Sequence, residues 1–115
     1  MYKVLDLFCG VGGLSYGFER AGYQILMGID SDAMAIKTFL RNHCGAQAIC
    51  DDITRLSFVA DIKPKLGDLK PDVIIGGPPC QGFSLSGPRN FADERNKLYL
   101  SYLRLVSEIK PRAFV

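Results

Sequence analysis

The apolar run Lys3-Val4-Leu5-Asp6-Leu7-Phe8 ends at a glycine cluster, Gly10-Val11-Gly12-Gly13, and a helical pattern begins at Leu14. This reads as strand, tight turn, helix. Glycine allows positive φ and a close approach of backbone to a ligand. The turn and the helix N-terminus would then set backbone N–H groups beside whatever binds there.

The same handover recurs along the chain. Leu14, Phe18 and Ala21 form the apolar side of the first helix, which Gly22 stops. Gln24 to Ile29 is a second strand ending at Asp30. Ser31 or Asp32 can cap a helix running to about Asn42, with Ala35, Ile36, Phe39 and Leu40 as its apolar positions. Gln47-Ala48-Ile49-Cys50 is a short third strand ending at Asp51-Asp52. Pro64, Gly67 and Pro71 punctuate the next stretch, in which residues 58–62 suit one or two helical turns. Asp72-Val73-Ile74-Ile75 is a buried strand broken by Gly76-Gly77-Pro78-Pro79. Residues 82–96 are rich in loop formers. Leu98, Tyr102, Leu105, Val106 and Ile109 mark an amphipathic helix ended by Pro111, and Ala113-Phe114-Val115 opens another strand. Alternating strands and helices predict an α/β fold with a parallel sheet. The last strand stops with the chain, so the fold is expected to be incomplete at its carboxyl end.

A chain of 115 residues is one domain or part of one. Its 48% hydrophobic and 23% charged content suits a soluble globular protein. No apolar run is long enough to span a bilayer, and the first residues lack the pattern of a secretory signal. A cytoplasmic or nucleoid location is expected, with no membrane partner. A net charge of +2 is too small to hold a duplex through phosphates alone. If DNA is the partner, much of the grip lies in parts absent from this sequence. Cys9, Cys44, Cys50 and Cys80 form no C-x-x-C pair, so no metal site is expected. The first three read as small buried hydrophobes.

Asp30 stands about 20 residues beyond the glycines, where a carboxylate can take both ribose hydroxyls of a nucleotide-like cofactor. Asp52, ending the third strand, could accept from an adenine amino group. Gly10-x-Gly12 is shared with dinucleotide-binding folds, but Ser15 stands at that fingerprint's third glycine. The plainer reading is a turn cluster with two capping aspartates.

The segment Gly76-Gly77-Pro78-Pro79-Cys80-Gln81-Gly82-Phe83-Ser84 says most about chemistry. Two prolines fix the backbone just past a buried strand and put Cys80 at the carboxyl edge of the sheet, where open α/β sheets bind ligands. A cysteine so presented is a candidate nucleophile.

These residues resemble the cytosine carbon-5 DNA methyltransferase family. Asp6-Leu7-Phe8-Cys9-Gly10-Val11-Gly12-Gly13 is similar to its first motif, Gly28-Ile29-Asp30 to the second and Asp51-Asp52-Ile53 to the third. Gly77-Pro78-Pro79-Cys80-Gln81-Gly82-Phe83-Ser84 resembles the fourth, and Arg95-Asn96-Lys97-Leu98 the fifth. The motifs run in order over nearly the whole chain. The resemblance implies a Rossmann-like S-adenosylmethionine-dependent methyltransferase fold, of which residues 1–115 form the amino-terminal part, without the target-recognition region. It implies that Phe8, Gly10, Gly12 and Gly13 line the S-adenosylmethionine pocket, with Asp30 on the ribose, Asp52 on the adenine and Leu98 packed near the cofactor. Pro79 would hold the flipped cytosine through its backbone, Cys80 would be the nucleophile, and Ser86 would contact DNA near the vacated base. Many members carry a bulky residue after the ribose-binding acid, where this chain has Ser31.

The implied chemistry is covalent. Carbon 5 of cytosine is a poor nucleophile until a thiolate adds to carbon 6. The base must leave the duplex stack to be reached. The family's glutamate, its later arginine contact and its carboxy-terminal segment are all absent, so the chain alone is expected to have little or no turnover. It would need the rest of the enzyme or a complementing subunit. Other readings stand beside this one: a split methyltransferase subunit, a tRNA cytosine methyltransferase of the same family, an NAD-dependent dehydrogenase, or a non-catalytic binding module. Arg89 and Arg95 are candidate phosphate contacts. The target sequence and oligomeric state are not legible.

Overall fold

The computed structural model describes residues 1–78 and 94–115, the side chains of Glu94 and Arg95 excepted. Among the described residues, five strands form one parallel sheet: β1 (Lys3–Leu7), β2 (Gln24–Asp30), β3 (Gln47–Cys50), β4 (Val73–Ile75) and β5 (Ala113–Phe114). Their spatial order is β3-β2-β1-β4-β5. Helices α1 (Gly13–Arg20) and α2 (Ala33–Asn42) make the first two crossovers. A 3₁₀ turn (Ile53–Arg55), a π-turn (Phe58–Ile62) and short α3 (Lys63–Leu66) lead to β4, and α4 (Glu94–Ile109) precedes β5. The α/β class expected from the alternation is the one observed, as is the Rossmann-like fold that the resemblance implies. No described helix is long and apolar enough to cross a membrane.

The central strands are buried on both faces, which is why they read as continuous apolar runs rather than alternating ones. On one face Val4, Ile25 and Ile75 meet Ile36 and Phe39 of α2. On the other, Leu5, Leu7, Leu26 and Ile74 meet Tyr102, Leu105 and Ile109 of α4, with Ile53, Leu56, Ile62 and Leu66 completing the layer. The Tyr102 hydroxyl donates to the Val115 carbonyl at 2.6 Å, tying α4 to the end of β5.

Side-chain caps explain several boundaries. Of the two candidate caps for α2, Asp32 is used: its carboxylate accepts from the N–H groups of Met34 and Ala35 at 3.0 and 3.4 Å. The stretch after Arg55 is organised by a reciprocal pair. Ser57 Oγ accepts from Ala60 N–H at 3.1 Å, and the Asp61 carboxylate accepts from Ser57 N–H at 2.8 Å.

Four expectations are corrected. In α1, Leu14 and Ala21 are exposed, and Ser15 is the buried residue, with Phe18 half-buried. Gly12 caps that helix in the left-handed conformation and sets a phase that points Ser15 inward; Leu14 is turned away by about 100°. In α2, Leu40 is 42% exposed, while His43, just past the helix, is buried. Helix α4 begins at Glu94, inside the stretch read as loop; acidic residues favour a helix's first turn, and the Asp93-Glu94 pair carried that signal. Cys44 and Cys50 are exposed rather than buried, the one in the turn after α2 and the other at the end of the edge strand β3.

Candidate functional site

The chain runs from β1 outward to β2 and β3, then returns across the sheet to β4 on the other side of β1. That reversal is a topological switch point, where parallel sheets open a crevice at their carboxyl ends. A cleft of about 420 Å³ lies there, a volume in the range of small-molecule sites. Four strand ends and one helix build its walls. Phe8 follows β1; Ile29, Asp30 and Ser31 close β2; Asp51, Asp52 and Ile53 follow β3; Gly77 follows β4; Leu98 comes from α4. The lining is two-sided in chemistry: apolar surfaces from Phe8, Ile29, Ile53 and Leu98, and carboxylates from Asp30, Asp51 and Asp52.

Asp30 is fixed by the backbone on both sides. Its Oδ2 accepts from Gly10 N–H at 2.8 Å and its Oδ1 from Asp32 N–H at 3.0 Å. A carboxylate offers about four lone-pair sites, so each oxygen keeps capacity for a further donor. Asp52 is held through one oxygen: its Oδ1 accepts from both the N–H and the hydroxyl of Thr54 at 2.9 Å. Both aspartates thus arrive pre-oriented at the cleft, beside its apolar walls.

The glycine loop stands next to this cleft rather than in its lining. Phe8 (φ 63°), Gly10 (φ 55°) and Gly12 (φ 95°) all take the left-handed conformation, which folds the loop tightly. A Cβ on Gly12 would sit 2.6 Å from His43 Nε2. That nitrogen lies 3.1 Å from the Gly12 carbonyl and donates to it, while Nδ1 lies 3.4 Å from Glu19 Oε2. The neighbouring Asn42 amide donates to the Val11 carbonyl at 2.9 Å. Two residues at the end of α2 therefore hold consecutive loop carbonyls. Beneath the loop, Ser15 Oγ donates to Asp6 Oδ2 at 2.5 Å. Burial pushes the Asp6 carboxyl up to about 6, against the pull of the Ser15 bond. Burial, with Asp6 and Asp30 adding, pushes the Cys9 thiol up to about 12, so Cys9 is a packed thiol and not a nucleophile.

The family model described as C-5 cytosine-specific DNA methylase matches residues 2–115. The chain belongs to the C-5 cytosine-specific DNA methylase family. It is 45% identical over 113 residues to the Type II methyltransferase M.DdeI of Desulfomicrobium norvegicum, covering 98% of this chain and 26% of that protein. It is 43% identical to M.AgeI of Thalassovita gelatinovora, covering 98% of this chain and 27% of that protein. Among solved structures, a prophage-encoded DNA modification methyltransferase from E. coli superposes with a TM-score of 0.84 at 43% identity, over 96% of this chain and 30% of that one. The S. pombe Dnmt2 methyltransferase superposes with a TM-score of 0.69 at 27% identity, over 95% of this chain and 33% of that one. The chain spans about a quarter of the length of the curated relatives it matches.

In this C-5 methylase chain, four of the residues picked out from sequence meet at one cleft: Phe8, Asp30, Asp52 and Leu98. Gly10 joins them through its bond to Asp30. Gly12 is buried against His43, and Gly13 starts α1. Pro79, Cys80, Ser86 and Arg89 lie outside the described residues, as does the Arg95 side chain. Ser31, Asp51, Ile53 and Gly77 also line the cleft. Asp51, Ile53 and Gly77 were visible only as members of motifs. Asp6, Ser15, Asn42 and His43 support the loop, and sequence reasoning gave none of them that part. A polar residue on the inward phase of α1 was the available signal for Ser15.

Proposed function

We propose that residues 1–115 are the amino-terminal, cofactor-binding and nucleophile-bearing part of the catalytic domain of a longer DNA (cytosine-5) methyltransferase. The observation that carries this reading is the meeting of Phe8, Asp30, Asp52 and Leu98 around a cleft of adenosine size, with Gly77 at its rim and the Pro79-Cys80 segment next in the chain. The described residues fit S-adenosylmethionine. Asp30 would take the ribose hydroxyls, Asp52 the adenine amino group, and Phe8, Ile29, Ile53 and Leu98 the faces of the ring. Gly10, Gly12 and Gly13 would carry the chain past the methionine end, beside the N-terminus of α1. Ser31 gives less stacking area than a bulky residue would, so the ring depends more on Phe8 and Leu98. The cofactor supplies a methyl group on a sulfonium.

The remaining steps belong to the protein and the base. The Cys80 thiolate adds to carbon 6 of a flipped cytosine held by the Pro79 backbone, and the electron pair moves to carbon 5, which takes the methyl group. Loss of the carbon-5 proton then expels the thiolate and restores the ring. Ser86 would contact the DNA. The glutamate that assists at ring nitrogen 3, and the parts that read the target, would come from the rest of the protein. A DNA substrate places the reaction where the chromosome is, which in bacteria is the cytoplasm.

The test is transfer of labelled methyl groups to DNA by the longer protein and by its Cys80→Ser variant. Label recovered as 5-methylcytosine with the native protein, and lost in a variant that still binds S-adenosylhomocysteine, supports the assignment. Undiminished transfer by Cys80→Ser removes Cys80 from the reaction, and labelling of tRNA instead of DNA changes the substrate.

A further inference from the structure

The two apolar walls of the cleft come from elements that share no strand pairing. Ile53 and Asp52 belong to the turn after β3, whereas Leu98 belongs to α4. Something must set the gap between them, and backbone pairing does not.

Beside the apolar layer that Tyr102 and Leu105 share with Ile53 and Leu56, two α4 side chains bridge the gap by hydrogen bonds. The Arg104 guanidinium donates through one nitrogen, Nη2, to the Leu56 carbonyl at 2.7 Å and the Ile53 carbonyl at 3.3 Å. Its other terminal nitrogen, Nη1, donates to Glu108 Oε2 at 3.1 Å. The remaining Glu108 oxygen, Oε1, accepts from Phe58 N–H at 3.0 Å. Three backbone groups of the segment 53–58 are thus satisfied by residues one helical turn apart on α4. Neither side chain is fully exposed, with 37% and 34% of their surfaces accessible, so the pairing is only partly screened. The planar guanidinium holds its donors in a fixed fork that meets two carbonyls and a carboxylate at once, whereas a lysine ammonium is a compact charge on a flexible stem. Leu98 lies six residues earlier on the same rigid helix, about 9 Å along its axis. A change at Arg104 would reach both walls together.

We propose that Arg104, braced by Glu108, is a positioning residue for the adenine end of the cleft: it fixes the separation of the Asp52–Ile53 wall from the Leu98 wall. The inference rests on the cofactor reading above and adds to it a residue that does not touch the cofactor.

The experiment uses the full-length methyltransferase that contains this chain, comparing the native protein with Arg104→Lys, Arg104→Gln and Glu108→Gln. Calorimetry gives the Kd for S-adenosylhomocysteine, and steady-state kinetics give KM for S-adenosylmethionine and kcat. Arg104→Gln is expected to weaken S-adenosylhomocysteine about tenfold or more, with Arg104→Lys and Glu108→Gln between it and the native protein. KM should rise in step, while kcat at saturating cofactor and DNA affinity hold. If Arg104→Gln fails to fold, the two milder variants carry the test. Native-like Kd in the folded variants overturns the proposal. So does a fall in kcat and melting temperature with KM unchanged, because that marks a residue that serves stability alone. A native protein that binds no S-adenosylhomocysteine fails at the earlier step, and sinks the cofactor reading itself.

Discussion

The backbone N–H of Gly10 donates to the Asp30 carboxylate at 2.8 Å, joining the turn after β1 to the end of β2 beside the cleft. The bond gives Asp30 two duties: it fixes the glycine loop, and it presents its free lone pairs to the cleft.

Removing the charge should separate the two duties. In Asp30→Asn the carbonyl oxygen can still accept from Gly10, but the amide NH2 replaces the oxygen that accepts from Asp32 N–H, and the carboxylate that would face the ribose is gone. Affinity for S-adenosylhomocysteine should fall by about tenfold to a hundredfold, because hydrogen bonds to ionised groups are the stronger kind. Circular dichroism should remain native. Calorimetry checks this, and an unaltered affinity would take Asp30 out of the site.

Asp6 makes the fold sensitive to pH. Its side chain is buried, and its folded pKa is raised from 3.8 to about 6 by burial. The folded state therefore holds the proton more tightly than the unfolded chain. The resulting stability is fully present below pH 4 and is lost as pH rises through 6, a difference of roughly 3 kcal/mol at most. Asp6→Asn keeps an acceptor for Ser15 and removes the titration. Urea unfolding at pH 4.5 and pH 7 should show a smaller drop in stability for the variant than for the native chain. Equal drops would mean that Asp6 does not titrate in this range.

Gly76 leads from β4 toward the segment that carries Cys80. A Cβ there would run into the Leu7 carbonyl, which is part of the sheet and cannot move aside cheaply. Gly76→Ala should cost about 2–3 kcal/mol, as overpacking against fixed neighbours does. Gly13→Ala is the control, since a Cβ at that position meets nothing within 4 Å. Denaturant midpoints compare them; equal midpoints would show that β1 and β4 are not held at this spacing.

Much of this architecture was legible because strand, turn and helix signals agree locally. Gly10 to Gly13 end one strand, Asp30 and Asp52 end two others, and each motif thereby marked a point on the carboxyl edge of a parallel sheet. What the sequence hid depends on contacts between distant segments. His43 is buried against Gly12, whose missing side chain leaves it room, and the two are 31 residues apart in the sequence. Ser15 looked like a missing glycine and is instead the partner of Asp6. Arg104 and Glu108 satisfy carbonyls and an N–H about 50 residues away, a link that no local pattern on the helix marks. The start of α4 was missed because its first turn follows a run of loop formers with little periodicity.

The most direct test of the cofactor site is calorimetric titration of the folded 115-residue chain with S-adenosylhomocysteine and, in parallel, with NAD. The cleft formed by Phe8, Asp30, Asp52 and Leu98 should give a saturating heat with S-adenosylhomocysteine that Asp30→Asn weakens, and none with NAD. Saturable binding of NAD, or an affinity for S-adenosylhomocysteine that Asp30→Asn leaves unchanged, would contradict the claim that this cleft is an S-adenosylmethionine site.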